Sequence, residues 1–274
     1  MYQDINMVRS VHDMEIRKVY ILITIVITLC LLTNCSAPAE SEPTAPAGDA
    51  QAFNQTKLEA GKLFTQRDDL SKLREAIALL AKLRNPDNRD YEVEWAFAKY
   101  NYFLGKYTSD EEEAESVFVK GKDAAKIASR MEPEKPDGHF WYGANLGELA
   151  RKSPITVGLG SIGEIREAMN KVIELQPDYQ GASAYDALAQ LELATRIRGG
   201  SAEKAVEYLE KAIMVEKENT NVRLHLAEAY LAVNKDAEAK KQIDYLLQMK
   251  PNPEYMPEYN DAVEKAKRML ATRF

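Results

Sequence analysis

A chain of 274 residues is long enough for one sizeable core or one array of repeats. Hydrophobic residues make up 45% and charged residues 29%, and a net charge of -7 argues against nucleic acid, which needs a basic footprint. The two cysteines, Cys30 and Cys35, leave no thiol for catalysis, disulfides or zinc from residue 36 onward, and His12, His139 and His225 do not lie at metal-ligand spacing.

The first element is an uncharged run of 14 residues, Val19 to Leu32, preceded by Arg17 and Lys18. It is shorter than the ~20 residues a membrane-spanning helix needs and reads as a secretory signal. The sequence LTNC, Leu32 to Cys35, resembles the lipobox of bacterial lipoproteins. That resemblance implies lipidation at Cys35, with Ser36 after it compatible with the outer membrane of a Gram-negative bacterium. Met14 offers an alternative start that gives a leader of more ordinary length. Residues 36–50, rich in Pro, Ala, Ser and Glu, lack the apolar surface to offset their ordering entropy and read as a disordered tether. The expected organisation is a leader over 1–35, a tether over 36–50 and a folded domain over 51–274.

From Gln51 onward strand-like alternation fails and helical periodicity runs throughout. Pairs are predicted at 52–66 with 70–84, 92–107 with 111–133, 140–150 with 162–177, and 184–192 with a helix capped by Ser201. A fifth pair follows at 220–230 with 238–247, and residues 257–272 form a charged capping helix. Ala205, Leu209 and Ala212 recur 34 residues later as Ala239, Ile243 and Leu246, the period of a tetratricopeptide (TPR) repeat. With Thr220 as the first position, Leu226, Ala227, Tyr230, Ala239, Ile243 and Pro251 all fall at TPR signature positions. Small residues there let paired helices approach, and a proline ends the second helix. The fold class is therefore all-α: a TPR-like superhelix of about five pairs plus a cap.

TPR arrays bind partners along a concave face lined by the first helix of each pair. The register places Trp95, Lys99 and Tyr102 on that face, with Trp141 and Asn145, Asp186 and Gln190, and Leu224 and Glu228. A shift of one residue makes each tryptophan an ordinary core aromatic instead, and both registers stay open. The acidic run at 110–115 reads as a solvated face or as N-terminal partners of the helix dipole. No constellation of nucleophile, base and orienter stands out, so no catalytic residue, cofactor or metal site is assigned.

Gly158, Gly160 and Gly163 spell G-x-G-x-x-G within TVGLGSIGEI. A dinucleotide site needs a buried strand before the glycines, and helix precedes them here. The stretch reads as an unusually long apolar loop between two helices, with Ile155, Val157, Leu159 and Ile162 as candidate contacts.

The runs GHFWYGANLGELA (138–150) and GGSAEKAVEYLEKAI (199–213) resemble the T component of tripartite ATP-independent periplasmic (TRAP) transporters over residues 90–250. This resemblance implies a non-catalytic periplasmic lipoprotein that partners the substrate-binding P component, with an organic acid or other hydrophobic ligand and self-association among its implied features. The competing reading is a TPR adaptor for outer-membrane or secretion machinery.

Overall fold

The computed structural model describes residues 47–153 and 158–274. The chain divides after Asp49, and the helical array forms the second unit, Ala50–Phe274, with its first helix starting at Ala47. Among the described residues there are eleven α-helices and no strand: α1 Ala47–Phe64, α2 Leu70–Leu83, α3 Tyr91–Tyr107, α4 Glu111–Met131, α5 Pro136–Lys152, α6 Leu159–Leu175, α7 Tyr179–Ala194, α8 Ala202–Val215, α9 Thr220–Ala232, α10 Asp236–Gln248 and α11 Met256–Arg273. The expected TPR-like array of five pairs and a cap is what the chain forms. Helix α1 starts within the stretch read as tether.

Short polar side chains set the helix starts. Asp69, Asp90 and Asp110 accept hydrogen bonds from backbone N–H groups of the first turns of α2, α3 and α4. Ser201 and Asn219 do the same for α8 and α9. Each cap satisfies donors that the helix itself leaves open. The acidic run after Asp110 opens α4, where Glu113 takes both arms of Arg74 at 2.7 Å and a bond from Thr108. These bonds, opposed by a little burial, hold the Glu113 carboxyl down at about 2.

Besides a small cluster of Ala114, Phe118 and Leu149, two larger clusters of buried side chains run along the array and meet at α7. One extends from Ala60 to Leu191, the other from Ala182 to Ala266. From the second pair on, each first helix packs against the first helix of the next pair, so first helices lie on the inner, concave side. Asp137, in the first turn of α5, ties three of them together. It accepts the Tyr91 hydroxyl at 2.8 Å and the Tyr179 hydroxyl at 2.7 Å.

The entrance to α7 is strained. Gln180, Gly181 and Ala182 have φ of 49°, 65° and 62°. Side chains usually avoid that region, at a cost of about 1 kcal/mol per residue. Asn219, the cap of α9, donates to the Gly181 carbonyl at 2.7 Å and so braces the turn.

The long loop expected before α6 is shorter than the sequence suggests. Leu159 and Ile162 are helical, and Ile162 packs against the first core cluster. Ile155 and Val157 lie outside the described residues. Gly160 and Gly163 sit on the exposed side of α6, and a methyl group added at either meets nothing within 4 Å. A phosphate-cradling role needs these positions bare, whereas a plain helix gains about 0.5–1 kcal/mol from alanine. Gly163→Ala is therefore expected to raise the melting temperature by a few degrees. An unchanged or lower value in a circular-dichroism melt contradicts the helical reading.

Candidate protein-interaction surface

The inner face is built mainly from α3, flanked by α1 and α5. Trp95, Lys99 and Tyr102 follow one another at spacings of four and three, so they share a face of α3, and all three are partly exposed. Lys99 Nζ stands 5.0 Å from the Phe64 ring and 5.9 Å from Trp141, a cation between two π faces. Phe64 stacks on Tyr100 at 4.1 Å and meets Phe103 edge-on at 5.4 Å. Tyr102 lies 5.5 Å from the Trp141 ring.

Three residues assigned to the groove belong to the core. Trp141 is 2% exposed, Asn145 0% and Leu224 1%. Leu224 belongs to the second core cluster, where α11 packs against α9, and for the two residues of α5 the register is the reason. The small residue that lets α5 approach α6 is Gly143, where an added Cβ would stand 2.7 Å from Met169 Cε, one position before the expected Ala144. That shift turns Trp141 and Asn145 toward the preceding pair. Asn145 fits against Gly121 and donates to the Trp141 carbonyl at 2.8 Å and the Ala98 carbonyl at 3.3 Å. The loss from changing either residue is thus one of packing.

Asp186, Gln190 and Glu228 stay partly exposed on α7 and α9. Asp186 Oδ1 lies 2.7 Å from His225 Nδ1. Burial works against a charged ring, yet the Asp186 carboxylate, with Glu228 nearby, outweighs it and holds the His225 pKa above its usual value. Lys265 of α11 faces the same ring and opposes that rise.

Spacing along the chain does not reveal the most organised feature of this face. Arg67, in the turn after α1, is 3% exposed and reaches Glu258 in the first turn of α11, 191 residues away. Its Nε and one terminal nitrogen donate to the carboxylate at 3.2 and 2.9 Å, and the Tyr107 hydroxyl donates to it at 2.8 Å. The guanidinium is flanked by Phe64 at 5.1 Å and Phe103 at 5.3 Å. Burial and Glu258 push the Tyr107 phenol far above its ordinary pKa, so it remains a donor. No local period links residues so far apart.

The outer side offers less. A shallow cleft of about 850 Å³ over α4, α5 and α6 is lined by interspersed charges such as Lys126, Arg130, Glu164 and Lys171. Among the described residues, no helix is long and apolar enough to cross a membrane, and no three His, Cys, Asp or Glu gather as metal ligands.

Comparison with known proteins corrects the setting. A family model described as Regulator of microtubule dynamics protein 1-3 matches residues 58–185, and a tetratricopeptide repeat model matches residues 197–256. Regulator of microtubule dynamics protein 3 of Rattus norvegicus is 31% identical over 84 residues, which is 31% of this chain and 18% of the relative. The protein of the same name from Bos taurus is 25% identical over 142 residues, covering 50% of this chain and 30% of the relative. The chain thus spans less than a third of the length of these curated relatives. Among solved structures, a thermophilic TPR protein of Thermus thermophilus aligns with a TM-score of 0.58 at 18% identity, over 78% of this chain and 99% of that one. Pseudomonas aeruginosa pilF aligns with a TM-score of 0.50 at 16% identity, over 81% of this chain and 92% of that one. At such identities the structures speak for the fold alone.

The resemblance to a TRAP transporter T component is overturned, because much of the segment that carried it is matched by a microtubule-regulator family. The periplasmic P-component partner, its organic-acid or hydrophobic ligand and the outer-membrane adaptor fall with it, since the matched relatives come from rat, mouse and cattle. Lipidation at Cys35 belonged to that bacterial setting and falls too, and Cys35 itself lies outside the described residues. What the comparisons establish is a TPR fold, joined over residues 58–185 to a likeness with regulators of microtubule dynamics.

Proposed function

We propose that the unit Ala50–Phe274 is a non-catalytic protein-interaction domain that takes a segment of a partner along its inner face. Its role is related to that of the regulators of microtubule dynamics it resembles. The observation that carries this reading is the partly exposed strip of Trp95, Lys99 and Tyr102 on α3, continued by Phe64 and Phe103. Aromatic and cationic groups on a rigid helix face suit peptide recognition, and TPR folds present such faces inward.

The likeness makes microtubules the first partner to test. Purified chain is expected to pellet with polymerised tubulin at micromolar concentration. Trp95→Ala together with Lys99→Glu is expected to cut the pelleted fraction several-fold without changing the circular-dichroism spectrum. Equal pelleting of chain and variant, or none by the unaltered chain, sets the reading aside.

A further inference from the structure

The corner formed by Arg67 and Tyr107 holds a carboxylate in the way a receptor holds a ligand. Three donors converge on it, and the arginine is nearly buried and fixed between two rings before any partner arrives. Fixed planar donors of this kind recognise carboxylates with little ordering cost. The carboxylate now in place comes from the chain's own C-terminal helix.

That helix has few fully buried side chains, with Tyr259, Val263, Met269 and Leu270 packed partly buried against the second core cluster. Ala262 and Ala266 are its fully buried residues, and most of its other positions are charged or polar. The segment leading into it is rich in proline, with Pro251, Pro253 and Pro257, and repeats Pro-Glu-Tyr at 253–255 and 257–259. An acidic, aromatic segment therefore lies at one end of an aromatic, cationic strip. The charge and ring chemistry of the two are complementary.

We infer that the Arg67–Tyr107 corner is a carboxylate-binding site for an acidic peptide segment of a partner, and that Glu258 occupies it as an internal competitor. The inference rests on the inner face being the binding surface. It adds the chemistry of the partner, a glutamate or aspartate beside an aromatic residue. Release of α11 becomes the step that opens the site. An internal competitor lowers apparent affinity by the fraction of time the site is free.

The probe is a labelled peptide of residues 251–263, titrated by fluorescence anisotropy into the full chain. Weak binding is expected to the unaltered chain, and binding about tenfold tighter to Glu258→Gln, whose own carboxylate is gone. Adding Arg67→Gln or Tyr107→Phe to that variant is expected to reverse the gain. Tyr107→Phe removes one hydroxyl and tests the site even if the arginine variant unfolds. A peptide with glutamine in place of both glutamates and asparagine in place of Asp261 is expected to lose the gain as well.

Equal affinity of the chain and Glu258→Gln for the acidic peptide overturns the internal-competitor assignment. Equal binding of acid and amide peptides overturns the carboxylate site while leaving the inner face as a peptide surface. Failure of every chain to bind either peptide overturns the site, while tubulin pelleting sensitive to Trp95 and Lys99 keeps the broader reading standing. A concentration-dependent dimer of Glu258→Gln in gel filtration replaces the partner peptide with a second copy of this chain.

Discussion

Replacing Arg84 and Arg89 together by leucine is expected to destabilise the first two helix pairs by about 3–5 kcal/mol, the range seen when a buried ion pair loses one side. The stranded group is Glu94 in the first turn of α3, a carboxylate with 0% of its surface exposed. Arg84 Nε holds one oxygen at 2.9 Å and Arg89 holds the other at 2.6 Å. Arg84 also lies 4.4 Å from the Phe97 ring, so its position is set by packing as well as charge. With both arginines gone, the carboxylate keeps the full cost of leaving water and loses what offset it. Thermal melts should fall by on the order of 10 °C. The diagnostic variant adds Glu94→Leu. Complete replacement of a buried ionic cluster by apolar groups is often nearly neutral, so the triple variant should recover most of the loss. A triple variant no more stable than the double one shows that the stranded charge is not the cause.

Gly138→Ala is expected to cost about 2–3 kcal/mol, at the upper end of over-packing effects. Gly138 lies in the first turn of α5, where it passes the end of α4. A methyl group there would stand 2.3 Å from the Ser129 backbone nitrogen, 2.7 Å from its Cα and 2.8 Å from the Ala128 carbonyl carbon. These are backbone atoms and cannot rotate aside, so the two helices must separate. The better helix propensity of alanine, worth up to about 1 kcal/mol, works in the other direction and is smaller. Asp137 is the adjacent residue, so separation also pulls on its bonds to Tyr91 and Tyr179. Urea denaturation should show a lower midpoint with at most a small change in slope. A midpoint within error of the unaltered chain contradicts the close approach. The same chemical change at Gly163 is expected to stabilise, which separates the effect of space from that of residue type.

Much of the fold is legible in the sequence because helix pairs announce themselves locally. Apolar spacing marks the buried stripe, Asp69, Asp90, Asp110, Ser201 and Asn219 mark the starts, and Pro133, Pro177 and Pro251 lie just past the ends. Register in α5 is harder to read. Gly143, Ala144 and Gly147 each offer a small residue for the close contact, and the structure uses Gly143. In α3 the structure leaves Trp95, Lys99 and Tyr102 partly exposed, with Ala98 rather than Ala96 fully buried.

The functional setting is misleading in the sequence for a physical reason. The run of aromatic, Gly, Ala, Asn and Leu residues in α5 answers packing demands: Trp141 fills the gap to α3, Gly143 admits Met169 and Asn145 seats against Gly121. Any array of this kind meets such demands, so the run carries fold information and little about partners. The Arg67–Glu258 contact and the left-handed turn at Gln180–Ala182 are illegible for another reason. Each is fixed by residues far apart in the chain, 191 positions in the first case and 38 in the bond from Asn219 to Gly181.

Repeat arrays ordinarily behave as linear polymers: each unit is stabilised by its neighbours, and the ends fray first because they have one neighbour instead of two. Glu258 changes that arithmetic by joining the last helix to the turn after the first. The contact gives each of these two places a partner that a linear array lacks, so loosening the turn after α1 or the first turn of α11 also costs a contact at the other. Departure of Glu258 from Arg67 would therefore be felt in two places, at the turn after α1 and at the start of α11.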